Sequence, residues 1–450
     1  MRIFLDDTII APATKVSKQA ISIIRLSGRD AFNIVNKILK KDLDISNAQQ
    51  LRKIYDNNQM IDEALFITFA NSKSFTGENV VEINCHGGVL VCNKIINLLI
   101  KNGARAAQKG EFSQRAFLNG KINLLQSESI NNLIESKNEL ALKISALGVS
   151  GIKDKKILKI KDQIIDVISR IQTSIDYPDY DDIEGSTPEE ILITLKKIKD
   201  CFTNIIENSK RAIKVNDGIK TLIIGEPNVG KSSLLNALLN EEKAIVTDIE
   251  GTTRDFVEGQ INFENFSLNL IDTAGIRKTK DPIEKIGIQK SLNNIDYADL
   301  ILFVVNNENI NKEILNKIKN KNYIIVVNKE DLLTKEQIKN IFSLNENIIF
   351  VSAINNQITN LTNRLKEMWD NEDLLNSDLP ILTSIESIAN LERALNLTNT
   401  SIENLEIGFD FDIVNVDLYK TLEIINNLLG IIDMDEEVID NIFRKYCLGK

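Results

Sequence analysis

At 450 residues with a formal net charge of −10, the chain is too long for one ordinary core and too acidic to hold nucleic acid by a general basic surface. Roughly two or three domains are expected. A hydrophobic share of 43% beside 26% charged residues is that of an ordinary globular chain, and the longest apolar runs, LILFVVN and YIIVVNK, fall far short of the ~20 residues of a membrane span. The opening MRIFLDDTII, broken by two aspartates, makes a poor secretory signal. Cys85, Cys92, Cys201 and Cys447 show neither a CxxC pair nor zinc-ligand spacing. A cytoplasmic protein with reduced thiols and no membrane association is the expectation.

Residues 1–118 mix strand-like runs, AISIIRLSG and NVVEINCHGG, with the helical RDAFNIVNKILKK and VLVCNKIINLLIKNG, which predicts an α+β unit. Lys101, Arg105, Lys109, Arg115 and Lys121 cluster at its end, and Lys153, Lys155, Lys156, Lys159 and Lys161 form a second basic stretch. Either could touch RNA locally, and a solvated helix face accounts equally well for the second. From 119 to 215 the pattern is helical: Ile157, Ile160, Ile164, Ile168 and Ile171 lay one apolar stripe along a helix. A second helix opens at STPEE, where Ser186 or Thr187 can cap and Pro188 suits the first turn, and continues through Ile191, Leu195, Ile198, Phe202 and Ile205. Between 216 and 378, KTLIIG, FSLNLIDTAG, DLILFVVN, NYIIVVNK and NIIFVSA alternate with helical segments, the rhythm of a doubly wound, mostly parallel sheet. Residues 379–450 are helical again. The predicted fold is multidomain α/β, with the α/β domain of 216–378 inserted between two parts of a helical domain that pack together.

GEPNVGKSS fits G-x-x-x-x-G-K-[ST] from Gly225 to Ser232, after a strand candidate and before a helix, the setting a P-loop requires. Its amides face phosphate oxygens at a helix amino end, Lys231 bridges the β and γ phosphates, and the Ser232 hydroxyl binds magnesium. DTAG, from Asp272 to Gly275, brings a carboxylate to the magnesium shell and an amide to the γ phosphate, while GTTRD, from Gly251 to Asp255, falls where a switch segment belongs. In NKED the Asp331 carboxylate can accept from N1–H and the 2-amino group of guanine, a pair that adenine lacks, and VSA supplies an N–H to guanine O6. The expected GTP-contacting set is Asn228, Val229, Gly230, Lys231, Ser232, Ser233, Thr247, Thr252, Thr253, Asp272, Thr273, Ala274, Gly275, Asn328, Lys329, Asp331, Ser352 and Ala353. The position after DTAG, where signalling GTPases often carry a water-orienting Gln, is Ile276. Asn228 could hold a monovalent cation beside the phosphates, or simply stabilise the loop.

With SFTGENVVEINCHGG, GEFSQRAFLNGKINLLQSE, AIVTDIEGTTRD, DTAGIR and the terminal CLGK, these residues resemble the MnmE (TrmE) family of tRNA-modification GTPases along the whole chain. The resemblance implies an N-terminal folate-binding and dimerisation domain at 1–118, a helical domain at 119–215 and 379–450, and a Ras-like G domain at 216–378. It implies a homodimer that works with a FAD-dependent MnmG (GidA) partner and a one-carbon tetrahydrofolate, 5-formyl or methylene, to place an aminomethyl or carboxymethylaminomethyl group on C5 of the wobble uridine of tRNA. It further implies potassium among Asn228, Thr247, Ile249 and Thr252, magnesium on Ser232 and Thr253, and a water-orienting catalytic Glu284 beside Lys231. The folate pocket falls on Arg25, Glu82, Lys121 and the terminal Lys450, with Cys447 near the modification site. The chain departs from the family's PxGxGG stretch: PATKVSKQAISIIRLSG holds no glycine before Gly28. His86 reads as a turn residue and Trp369 as a packing residue.

An Era- or EngA-like ribosome-assembly switch shares the Asn228-type loop and GTTRD, but it predicts an RNA-binding appendage after the G domain, and no GXXG-bearing module follows here. A lipidated signalling GTPase is excluded by CLGK, whose Gly449 and Lys450 do not make a prenylation box.

Overall fold

The computed structural model describes residues 7–45, 49–176, 187–239, 257–271, 294–306, 310–342 and 347–431. They divide into two compact units, one formed by residues 1–131 with 422–450 and the other by 132–421.

The first unit is built on a six-stranded sheet of β1 (Ile9–Pro12), β2 (Ile21–Ser27), β3 (Gln49–Asp56), β4 (Gln59–Phe69), β5 (Val80–His86) and β6 (Arg105–Ala106). Its order is β3-β4-β5-β2-β1-β6, antiparallel except for the parallel pair β1/β6. AISIIRLSG and NVVEINCHGG form β2 and β5, and their period-2 alternation sends Ile24, Leu26, Val81, Ile83 and Cys85 into one core. Helix Val89–Lys101 covers that face with Cys92, Ile95 and Leu99, while Arg25 and Glu82 stand on the opposite face, in register on neighbouring strands. Burial pushes the Cys85 thiol up to about 12 and raises Cys92 as well, so neither is a ready nucleophile at neutral pH.

The basic cluster near residue 105 requires a correction. Arg115 is 2% exposed and donates to the Asp7 carboxylate at 2.5 Å, to Glu78 at 3.1 Å and to Glu111 at 3.1 Å. Arg105 pairs with Asp7 and Glu111, each at 2.5 Å. Both guanidiniums are committed to carboxylates, so the stretch presents less unpaired positive charge than its sequence suggests. Burial raises the Asp7 and Glu111 carboxyls, but their hydrogen bonds and charge pairing with the two arginines outweigh it and hold both below the usual carboxylate range.

In the second unit, Thr187 caps helix Pro188–Asp217 by accepting from the Glu190 amide. Ile191, Leu195, Ile198, Phe202 and Ile205 are buried along that helix, as Ile157, Ile160, Ile164, Ile168 and Ile171 are along Asp154–Asp176. Helix Ile385–Glu406 packs antiparallel to Pro188–Asp217, with ion pairs Lys196–Glu406 at 2.7 Å and Lys210–Glu392 at 2.6 Å marking the register. The helices that flank the second sheet in sequence therefore pack on one another.

That sheet comprises β7 (Ile219–Gly225), β8 (Val257–Asn262), β9 (Ser267–Ile271), β10 (Leu300–Val305), β11 (Tyr323–Val327) and β12 (Ile348–Phe350), in the order β12-β11-β10-β7-β9-β8. All pairs are parallel except β8/β9. Separate apolar clusters cover its two faces, which is why β10 and β11 read as continuous Ile, Leu and Val runs rather than alternating ones. Strand β8 was not expected, because VEGQIN is polar and broken by Gly259. Trp369 packs against one of these clusters, with the Lys214 ammonium 5.7 Å from its ring centre. Among the described residues no helix is long and apolar enough to cross a membrane.

The Asp7 and Glu111 pairing stabilises the first unit above the unfolded carboxylate range, near ~4, and is lost as pH falls through the lower folded values. Arg115→Met should destabilise that unit by about 3–5 kcal/mol at neutral pH, because three carboxylates lose a buried partner. Denaturant unfolding read by hydrogen exchange within residues 7–121 should show this loss, narrowing below about pH 4 as the carboxyls protonate.

Candidate nucleotide site

The site gathers at the carboxyl ends of the parallel strands, where open α/β sheets place ligands. Strand β7 ends at Gly225 and helix Lys231–Leu239 begins six residues later, so Glu226–Gly230 form the connecting loop. A side chain at Gly225 would stand 2.3 Å from the Val304 carbonyl of β10, and one at Gly230 would stand 2.1 Å from Asn328 Nδ2. Both glycines are required by close approach, as the P-loop motif predicts.

Asn328 locks this loop to two others. Its side chain is 2% exposed; Nδ2 donates to the Val229 carbonyl at 3.0 Å and Oδ1 accepts from the Ala353 amide at 3.1 Å. Lys329, at φ +61°, donates from Nζ to the Asn228 carbonyl at 2.9 Å. Ser352 Oγ donates to Asp331 Oδ1 at 2.5 Å, holding a carboxylate at the edge of the site while Asp331 stays exposed. The structure thus brings together Asn228, Val229, Gly230, Asn328, Lys329, Asp331, Ser352 and Ala353 from three separate segments.

Lys231 donates from Nζ to the carbonyls of Gly225 at 3.0 Å and Glu226 at 2.8 Å, which holds its ammonium over the loop. Ser232 is exposed in the first turn of the helix, with Ser233 partly buried beside it. An ammonium, an exposed hydroxyl and a glycine-bounded loop at a helix amino end fit a phosphate chain and its magnesium ion. Asn228 is exposed at φ +61°, a left-handed conformation that asparagine tolerates better than most residues. Thr247, Ile249, Thr252, Thr253, Asp272, Thr273, Ala274, Gly275, Glu284, Cys447 and Lys450 lie outside the described residues.

In the first unit, Arg25 Nε donates to Glu82 Oε1 at 2.9 Å and the guanidinium lies 5.8 Å from the Phe112 ring centre. Arg25 therefore meets any ligand as half of an ion pair. Lys121 follows helix Glu111–Leu118, its amide donating to the Ala116 carbonyl at 2.8 Å. His86 Nδ1 and Asp62 Oδ1 are 2.6 Å apart, and the His86 amide donates to the same carboxylate; His86 is the last residue of β5, paired with Ile21 of β2, and not the turn residue expected.

Sequence reasoning placed Asn328 in the nucleotide set but missed its bridging role. The signal was only its place at the end of a buried strand. Asn328→Ala leaves the Val229 carbonyl and the Ala353 amide without this partner, at ~1–3 kcal/mol for each buried group left unsatisfied. Titration with a fluorescent GTP analogue should show affinity lower by about ten- to a hundredfold.

A family model described as GTP-binding protein TrmE N-terminus matches residues 8–121, and one described as MnmE helical domain matches residues 124–447. The tRNA modification GTPase MnmE of Mycoplasma mycoides is 55% identical over 451 residues, covering 99% of this chain and 100% of that protein. The Mesoplasma florum protein of the same name is 53% identical, covering 99% of each chain, and that of Streptococcus thermophilus is 40% identical, covering 99% of this chain and 98% of its own. Among solved structures, Aquifex aeolicus Era aligns with 40% of this chain and 66% of its own at 26% identity and a TM-score of 0.26, too low to carry a structural argument. With identity above one half running from end to end, the chain belongs to the MnmE family of tRNA modification GTPases.

Proposed function

We propose that this chain, a GTP-hydrolysing enzyme of tRNA modification, acts as a potassium-dependent homodimer with a FAD-dependent MnmG-type partner. Together they add an aminomethyl or carboxymethylaminomethyl group to C5 of the wobble uridine, drawing on a one-carbon tetrahydrofolate, in the cytoplasm. The observation that carries this reading is the three-loop site locked by Asn328, in a chain whose whole length matches tRNA modification GTPases. That full-length match also sets aside the Era-like alternative.

Within this reading Lys231 neutralises the β and γ phosphates, and Asp331, oriented by Ser352, selects guanine. Ser232 and Thr253 hold magnesium, which supplies charge neutralisation at the phosphate oxygens. Asn228, Thr247, Ile249 and Thr252 surround potassium, which supplies the positive charge that an arginine finger delivers elsewhere. Glu284 orients the attacking water, the task left open by Ile276. Arg25, Glu82, Lys121 and Lys450 contact the folate, and Cys447 lies near the modified base.

Hydrolysis also has a short path into the helices. Strand β8 begins two residues after GTTRD and β9 ends one residue before DTAG, so the β8/β9 hairpin joins the two switch motifs in sequence. Its turn is fastened to the helical part of the same unit: the Glu139 amide donates to the Glu264 carbonyl at 2.9 Å, and Asn138 Nδ2 approaches Ser267 Oγ at 3.3 Å and the Val215 carbonyl at 2.7 Å. Asn138 is also the N-cap of helix Glu139–Val149. A movement of the hairpin is therefore felt at a helix end.

Nucleoside mass spectrometry of tRNA from a strain lacking this protein should show loss of the C5-modified wobble uridine; an unchanged level rejects the tRNA-modification reading. GTP turnover should be markedly faster in potassium than in sodium, and Asn228→Ala should remove the difference, whereas equal rates for the unmodified protein exclude the cation role. Asn138→Ala should keep most GTP hydrolysis while lowering tRNA modification per GTP consumed, measured in one reconstituted reaction.

A further inference from the structure

The loop Ser74–Asn79 enters β5, and its conformation is fixed from below. Thr76 is fully buried, with Oγ1 2.7 Å from Ser27 Oγ, and Ser27 Oγ donates to Glu78 Oε2 at 2.6 Å. Glu78 is in turn held by Arg115 at 3.1 Å, and the Asn119 side chain donates to the Thr76 carbonyl at 2.7 Å. Gly77 sits between these anchors at φ +79°. A Cβ on Gly77 would stand 3.1 Å from Asn119 Cβ, 3.2 Å from Lys121 Cγ and 3.4 Å from Lys121 Cδ. The aliphatic stem of Lys121 thus lies across the bare α-carbon of Gly77.

We infer that Gly77 is a positioning residue for Lys121: its missing side chain leaves room for the lysine stem to lie against the backbone and so guides where the ammonium is presented. This rests on the proposed role of Lys121 in binding an anionic one-carbon folate. A flexible four-carbon stem loses much of its rotamer freedom when it is ordered, and a preformed contact with the bare α-carbon removes part of that loss from the binding step. A Cβ at position 77 meets the stem more tightly than an ordinary van der Waals contact, so the stem must give by a few tenths of an ångström while the loop beneath is held at Thr76 and Glu78.

The test uses the full chain and 5-formyltetrahydrofolate, with affinity measured by calorimetry. Lys121→Met should weaken binding by about ten- to a hundredfold, as expected for loss of a charge-assisted contact. Gly77→Ala should weaken it by about tenfold in the natural background and have no further effect in the Lys121→Met background. Gly103→Ala is the control for backbone strain, since Gly103 lies at φ +117° in the same unit and an added Cβ meets only Ile34, at 3.9 Å; it should leave affinity unchanged. Equal affinity of Gly77→Ala and the unmodified chain, or an equal loss with and without Lys121, overturns the inference. If the unmodified chain fails to bind the folate, the folate reading falls, and the positioning claim is decided separately by NMR of reductively 13C-methylated lysines. The Lys121 resonance should move in Gly77→Ala and stay fixed in Gly103→Ala; an unmoved resonance in Gly77→Ala overturns the positioning claim.

Discussion

The carboxamide of Asn328 is the contact on which the nucleotide end of the second sheet depends. One buried side chain satisfies the Val229 carbonyl of the P-loop and the Ala353 amide after β12, and its size requires glycine at position 230. The loops that follow β7 and β12 belong to different strands and have no covalent reason to keep their spacing. Asn328 supplies one, at the end of a strand that is itself buried on both faces. Because each backbone group it reaches is shielded from water, the bond contributes mainly by avoiding the cost of leaving that group unpaired.

The first unit uses the same device with charges. Arg115 ties the chain start at Asp7, the loop at Glu78 and the helix at Glu111 into one network, and that network supports the loop that carries Gly77. Breaking it is costly because one buried guanidinium serves three carboxylates; a half-satisfied buried network is worse than an apolar one. The second unit is joined differently. Neutral hydrogen bonds at Asn138 and Glu139, together with the exposed pair Arg211–Asp373 at 2.5 Å, fasten the sheet-bearing part to the helices.

Much of this was legible in the sequence because the chemistry dictates residue types at fixed spacing. Gly225, Gly230, Lys231 and Ser232 announce a P-loop, and apolar runs set β7, β9, β10, β11 and β12 apart from their helices. The helical stripes and the Thr187–Pro188 start were equally plain. Strand β8 escaped because it is a polar edge strand held by pairing with β9 rather than by its own apolar pattern. The β3/β4 hairpin escaped although Asn57 sits at φ +53° in its turn, because apolar residues fall on both faces of β4: Ala64 and Phe66 are buried and Leu65 is exposed, so QMIDEALFITF shows no period-2 pattern. Arg115 was read as part of a basic cluster because two of its three carboxylate partners are far away in sequence, Asp7 at 108 residues and Glu78 at 37, although Glu111 lies four residues before it. The long-range part of that pairing leaves no local trace, so the sequence shows the cation and hides two of the carboxylates that neutralise it.

The central claim is that guanine nucleotide turned over at this site drives tRNA modification, and a change of base specificity tests it most directly. The Asp331 carboxylate, held by Ser352, matches the two donors of guanine; a carboxamide there, with its oxygen on the same hydroxyl, offers a donor to the 2-oxo group of xanthine. In a reconstituted reaction with the partner protein, tRNA and one-carbon donor, Asp331→Asn should modify tRNA with xanthosine triphosphate and lose activity with GTP. Modification that continues with GTP, or that proceeds without any nucleotide the altered site can hold, would contradict the account.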